Sequence, residues 1–363
     1  MNIEEIKNKN VKDPRKSRIE IFYEGKNITQ NIHNQLLSCS QSDSINELDS
    51  LELTLENKEI YWLGSWFPQK GDILKTILIL ENWEIDGNIV VHDMGEFYID
   101  SINFSGPPDV VNIRGISYDL NSDIVDKKEN HVWENVDFKT IITEIAKNRK
   151  IELISDISFN RKYQRIEQKL QSDFDFLKSL CEEAGANLKL FNNKIVIFEE
   201  EKYEKKEPKI NLKKSNISSY SFSTDDTDSY SSCTICYYDF KKKKKIEKKF
   251  FLKNRNSYKK KNKRDLFINE DKQITGKNKE EINKQLLEIA KKALRGKNKK
   301  EVKASVTFMG TEKLLSVGDT VILSDFANFS GKYIIDNLNI NLFSYEITAD
   351  MHKIMEMEVE VEE

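Results

Sequence analysis

Cysteine thiols and clustered carboxylates are the side chains in this sequence whose spacing could carry chemistry. Cys233-Thr-Ile-Cys236 has the two-residue gap of a metal or redox pair. A zinc site needs two further ligands, and neither a second cysteine pair nor a histidine pair lies near. The four histidines, His33, His92, His131 and His352, are scattered. The pair also sits in a strand-like run, Ser232–Phe240, whereas a redox motif belongs at a helix start. It reads as two thiols in a strand, and Cys181 as a core residue of a helix. A cell-wall hydrolase would need paired carboxylates held at different pKa values. Asp225, Asp226 and Asp228 are the best such cluster, but they lie in a Ser/Thr-rich stretch with no apolar residues to shift a pKa, the pattern of a solvated turn. Metalloprotease, nucleophile-elbow, P-loop and dinucleotide-binding motifs are absent from the sequence. No catalytic, cofactor-binding or metal residue is therefore predicted, and the protein is read as a non-enzyme with no cofactor.

The elements around these positions are mostly strands. Ile19–Tyr23, Leu51–Leu55, Ile73–Leu80, Glu96–Phe104 and Val110–Ser117 alternate or run apolar between Gly, Pro and Asn punctuation. Near Asp119 the character changes. Asp137 is placed to cap a helix carrying Ile141, Ile142, Ile145 and Ala146 on one face. Ser172-Asp-Phe-Asp175 forms a capping box that accounts for Asp173 and Asp175. Phe174, Leu177, Leu180, Cys181 and Ala184 follow at helical spacing, and Gly185 ends the helix. A hairpin turns at Asn192-Asn193, and Glu199–Lys209 reads as a charged linker. Strands resume at Ile217–Phe222 and Ser232–Phe240. A third helix is expected from Asn278 to Gly296, and strands follow from Val302 to Met351. Core packing is the default for Trp62, Trp66, Trp83 and Trp133, although Trp66-Phe67-Pro68 before a turn also suits a subunit contact.

The 363 residues suggest two or three domains. No window is long and apolar enough for a spanning helix, and no apolar secretory stretch follows Met1, so folding in a reducing cytoplasm is expected. The net charge of −3 hides a strong asymmetry. Lys241–Lys303 holds 25 basic and 8 acidic residues, while the remainder is acidic overall. Such a block suits either a nucleic-acid partner or, more simply, a solvated insertion, because a charge run alone specifies no groove.

An internal repeat organises the chain. Lys70-Gly71-Asp72, a strand, then Gly95-Glu-Phe-Tyr-Ile-Asp-Ser-Ile-Asn-Phe104 matches Val317-Gly318-Asp319, a strand, then Gly331-Lys-Tyr-Ile-Ile-Asp-Asn-Leu-Asn-Ile340. A further strand follows each. The fold expected is mainly β with an α+β insertion: two related antiparallel β-barrels plus a small α+β domain. The boundaries read are 1–17 as a loose N-terminus, 18–119 as the first barrel and 120–205 as the α+β domain. Residues 206–240 with 302–363 make the second barrel, and 241–301 a basic insertion with one helix. Three such chains would present six barrels in a ring.

Four stretches resemble the late control gene D family of contractile phage tails, the central baseplate hub, and the N-terminal part of type VI secretion spike proteins. They are Trp66-Phe-Pro-Gln-Lys-Gly-Asp72; Phe97–Ile102 with Gly106-Pro-Pro-Asp109 and Val111–Ser117; Gln168 with Ser172–Leu177 and Glu183-Ala-Gly185; and Leu315–Asp319 with Phe329–Ile335. The resemblance implies tail-tube-like barrels and a structural homotrimer that adapts a six-fold tube to a three-fold spike. Its partners would be the tail tube protein, the central spike and other baseplate proteins. The particle, a phage tail or a phage-tail-like bacteriocin, would assemble in the bacterial cytoplasm and leave by lysis. The lysine-rich insertion departs from the family pattern. The competing readings are a nucleic-acid-binding β-barrel protein acting through 241–303 and a tail-associated cell-wall hydrolase.

Overall fold

The computed structural model describes residues 14–119, 122–225, 229–239, 243–252, 264–270, 279–354 and 359–361. The first part of the chain contains β1 (Lys16–Tyr23), β2 (Lys26–Asn27), α1 (Thr29–Ile32), β3 (Leu36–Ser44), β4 (Ser50–Glu56), β5 (Ile73–Glu81), β6 (Ile89–Ser105) and β7 (Val110–Ile116). Then come β8 (Lys128–Asp137), α2 (Phe138–Arg149), β9 (Glu152–Asp156), β10 (Lys162–Ser172), α3 (Asp173–Ala184), β11 (Ala186–Phe191), β12 (Lys194–Glu199) and α4 (Glu200–Glu204). The rest comprises β13 (Ile210–Lys213), β14 (Ile217–Thr224), β15 (Ser232–Asp239), β16 (Lys244–Leu252), β17 (Asp265–Glu270), α5 (Lys279–Asn298), β18 (Val302–Met309), β19 (Thr320–Ser324), β20 (Gly331–Asn341), β21 (Glu346–Lys353) and β22 (Val359–Val361). The fold is mainly antiparallel β, as the strand patterns indicate.

The repeat is real at the level of pairing. The first half runs β3-β4-β7-β6-β5-β1, and the second runs β14-β18-β21-β20-β19-β13 in the same order. Irregularities recur at matching places. β6 shifts register against β7 between Ile99 and Ser101, and β20 against β21 between Ile335 and Asn337. β3 shifts between Leu36 and Ser38, and β14 between Ile217 and Ser219. The Gly-Asp corners correspond bond for bond. The Gly71 N–H donates to Ile99 O at 2.8 Å and the Ile99 N–H to Asp72 O at 2.9 Å, while Gly318 N–H donates to Ile335 O at 2.9 Å and Ile335 N–H to Asp319 O at 3.0 Å. Both glycines turn with positive φ, +90° and +83°, a region costly for any side chain. One difference is that β13 runs parallel to β19, whereas β1 is antiparallel to β5.

The halves are joined edge to edge. β20 pairs with β3, placing Leu338 opposite Asp43 and Ile340 opposite Gln41. One hydrophobic core runs through both, from Ile21, Leu53 and Phe97 to Val306, Ile335 and Ile347. Strand β3, LLSCSQSDS, is too polar to read as a strand in sequence. It is buried because it has neighbours on both sides, not because of its own hydrophobicity.

A second core, including Phe138, Ile142, Leu177, Leu188 and Ile197, belongs to the α+β unit. Both expected caps are present: Asp137 Oδ1 accepts from the Thr140 N–H at 2.9 Å, and Ser172 Oγ accepts from the Asp175 N–H at 3.1 Å. Gly185 closes α3 at φ 72°.

Three expectations need correction. The sequence pattern assigns Ser232–Phe240, and the chain from 302 through to 363, to the second barrel. Instead β15 pairs with β16 and β17, and β22 with β16, in a separate four-stranded sheet packed on α5. The reason is local pairing: β16 runs back along β15 from Ser232 to Asp239, so the basic segment completes a unit of its own around Cys233, Ile235, Phe250, Leu286 and Leu294. Gly296 does not end the third helix, which continues to Asn298; its φ is not positive, so no left-handed turn requires the glycine. Asn278 lies outside the described residues. Glu199–Lys209 is not merely a linker, because it contains α4.

Candidate functional site

Helix α4 begins directly after β12 with Glu200 and Glu201, acidic residues suited to a helix N-terminus. Its i, i+4 spacing puts Glu200 and Glu204 on one face, and both are buried. The partners come from far away in the chain. Lys299 Nζ lies 2.9 Å from Glu200, Arg295 pairs with Glu204, and Lys291 lies 3.3 Å from Glu201. His352 on β21 completes the cluster. Its Nδ1 is 2.7 Å from Asp336 and its Nε2 is 3.3 Å from Glu200, within ion-pair range but not aligned as a hydrogen bond.

Burial opposes the charged imidazole, but Asp336 and Glu200 outweigh it and push His352 up to about 9. Burial likewise opposes ionised Glu200, yet His352 and Lys299 hold it well below the usual carboxylate range. Glu204 is shifted up because burial outweighs Arg295. The junction thus ties the second β half, the basic insertion and the α+β unit together by charge.

Glu200, Glu204 and His352 bring ligand atoms within 4.8 Å of one another, the spacing of a metal site. Lys299 and Arg295 already occupy both carboxylates, so a metal cation would have to displace two cationic side chains. The arrangement fits an internal brace better than a metal centre. Nothing in the sequence patterns marks this cluster except the Glu200/Glu204 spacing, since its other members lie about a hundred or more residues away.

A second buried charge group joins the first half to the α+β unit. Lys189 on β11 contacts Asp43 and lies 3.1 Å from Asp49, whose exposure is 0%. Burial raises the Asp49 pKa, reinforced by Asp43 and opposed by Lys189. Asp43 also accepts the Val317 N–H at 3.2 Å, which links the same point to the second half.

Of the tryptophans, Trp62, Trp83 and Trp133 are buried, and Trp66 is 37% exposed. The Trp62 Nε1–H donates to Gln35 Oε1 at 2.8 Å. Trp66 stacks on Tyr61 with centroids 5.2 Å apart and meets Trp62 edge-on, and Phe67 stacks on Phe104. These contacts hold a rigid aromatic surface just before the Gly71 corner. Cys233 and Cys236 are both buried in β15, and the local sheet accounts for them. Of the aspartate cluster, Asp225 follows β14 and donates its N–H to Glu301 O at 3.0 Å; Asp226 and Asp228 lie outside the described residues.

No family model matches the chain. Among curated proteins it is 25% identical over 220 residues to a probable baseplate hub protein of Escherichia phage P2, a match covering 59% of this chain and 54% of the relative. It is 24% identical over 235 residues to the corresponding protein of Escherichia phage 186, covering 63% and 58%. The matches therefore span a little over half of those relatives. Among solved structures, a tail protein from Neisseria meningitidis MC58 shares the fold at TM-score 0.64 and 13% identity, covering 93% of this chain and 96% of that one. A chain of the lidded Francisella PdpA–VgrG complex does so at TM-score 0.51 and 10% identity, covering 96% and 55%. These likenesses agree with the resemblance carried by the sequence motifs: the chain is similar in sequence to proteins named as probable baseplate hub proteins in phages P2 and 186, and it shares its fold with a phage tail protein and a VgrG-complex chain.

Proposed function

We propose that the protein is a structural hub of a contractile injection particle, a homotrimer whose six β halves form a ring between a six-fold tail tube and a three-fold spike. The duplicated strand ladder carries this reading. Two halves with the same order, two shared register shifts and the same Gly-Asp corner give one chain two near-equivalent subunits, which is what a three-chain match to a six-fold partner requires. The sequence relatives named baseplate hub proteins support it. The role is mechanical rather than catalytic: buried ion pairs and a continuous sheet transmit load between tube and spike. The particle is a phage tail or a phage-tail-like bacteriocin, and the other baseplate proteins are further neighbours.

The basic segment is read as a brace, because Lys291, Arg295 and Lys299 already pair with α4. This weakens the nucleic-acid alternative at those positions. Native mass spectrometry on the purified chain, alone and mixed with tube and spike proteins, is the test. A mass of three chains that also retains tube or spike protein is the expected result; a monomer at high concentration that binds neither would overturn it.

A further inference from the structure

Within one chain, β20 binds two strands at Asn337–Asn341: β21 on one side and β3 on the other. The repeat maps this stretch onto Ser101–Ser105 of β6, which pairs with β7 on the equivalent side. On the other side, no strand among the described residues meets it. The repeat also maps β3 onto β14 through their shared register shift, so that Ser40 corresponds to Ser221 and Asp43 to Thr224. Among the described residues, β14 pairs with β18 alone. One contact is therefore made inside the chain, and both halves of its counterpart are left open: β14 at one end of the strand order, and the last part of β6 where it runs past its pairing with β5.

We propose that β14 of one copy adds to β6 of the next, repeating between chains the contact that β3 makes with β20 inside each. This rests on the homotrimeric reading above. The register follows from the duplication. Antiparallel pairing with Leu338 opposite Asp43 and Asn341 opposite Ser40 becomes Ile102 opposite Thr224 of the neighbour and Ser105 opposite its Ser221. Asn103 then faces Ser223, and Phe104 faces Phe222 in an aromatic cross-strand pair.

Burial supports the assignment. Leu338 and Ile340 are buried at 0% and 2% exposure beneath β3, whereas their counterparts Ile102 and Phe104 are only partly covered. Gln41 and Asp43 are buried against β20, whereas Thr224 is exposed and Phe222 partly so. The chemistry of the edges agrees as well. β14 reads ISSYSFST and the β6 stretch SINFS, neither with a charge or a proline. Strand edges that must stay single are usually blunted by lysine, proline or a covering element, and these two carry neither residue. Because the step between chains copies the step within a chain, the contact is heterologous, and a rotation of about 60° per half closes six halves from three chains into a ring.

Paired cysteines test the register on the full chain. The four native cysteines are buried, so the unmodified protein is the blank. In Asn103→Cys/Ser223→Cys the two thiols face each other across the contact. In the control, Asn103→Cys/Ser219→Cys, they are displaced by about 14 Å along the strand. Under mild oxidation the facing pair is expected to give covalent dimer and trimer at least tenfold above the control, with Ser105→Cys/Ser221→Cys behaving likewise. Hydrogen exchange on the unmodified protein is the second readout: amides of residues 102–105 and 221–224 should exchange at least tenfold more slowly in the assembled form than in dilute monomer. A three-chain native mass without preferential cross-linking or protection overturns the contact and leaves the trimer standing. A persistent monomer removes both.

Discussion

His352 ties the end of the second β half to α4, and its charge has a consequence that can be measured. Its folded pKa is raised from 6.5 to about 9 by Asp336 and Glu200 against the effect of burial. A group raised on folding stabilises the native state fully below its unfolded value and loses that contribution as pH climbs through the folded one. Stability is therefore expected to fall between about pH 6.5 and 9, by roughly 3 kcal/mol at most. Denaturant unfolding across that range reads the slope, and His352→Gln should flatten it. The twin glycines offer a second comparison. Gly71→Ala meets nothing within 4 Å and should cost only the backbone term of about 1 kcal/mol, whereas an added Cβ at Gly318 lies 3.0 Å from Phe198 and should cost more. Equal losses on thermal unfolding would contradict that difference. The tryptophans divide in the same way: Trp62→Ala should cost about 3–5 kcal/mol and Trp66→Ala much less, because only the first is enclosed.

Helices whose signals are local are legible in the amino-acid sequence. Asp137 and Ser172 cap where expected, since a cap needs only its own first turn. Helix α4 is hidden there because its five residues are stabilised by Arg295, Lys299 and His352, none of which is near in sequence. The basic block misleads for the same reason: a lysine looks solvated until its carboxylate is known. Helix α5 packs on β15 as the lid of the insertion unit. Leu286, fully buried there, is the position to probe. Leu286→Ala should cost that unit about 2–5 kcal/mol and speed amide exchange in β15 and β16, leaving β4 and β7 unchanged. Uniform loss of protection across all strands would show that the insertion is not a separate cooperative unit.

At the scale of the molecule, the β3–β20 ladder fuses two copies of one strand plan around one core. The two halves should therefore unfold together. Leu338→Ala, placed at the seam with 0% exposure, is expected to weaken β5 and β19 alike by hydrogen exchange. Loss confined to β19 and β20 would mean that the halves are energetically independent.

The duplication itself is written in the sequence. Gly-Asp corners and the Gly-aromatic-Ile-Asp strands are local patterns, and a repeated local pattern implies a repeated local fold. The sequence likewise determined the mainly β character, the capped helices and the absence of familiar catalytic motifs. Tertiary structure alone decided how the copies meet, that β22 joins β16 in the insertion sheet, and that Glu200, Glu204 and His352 share one buried site. Strand partners and buried charge pairs depend on what lies opposite in space, and sequence spacing does not encode that when the partners are a hundred residues apart.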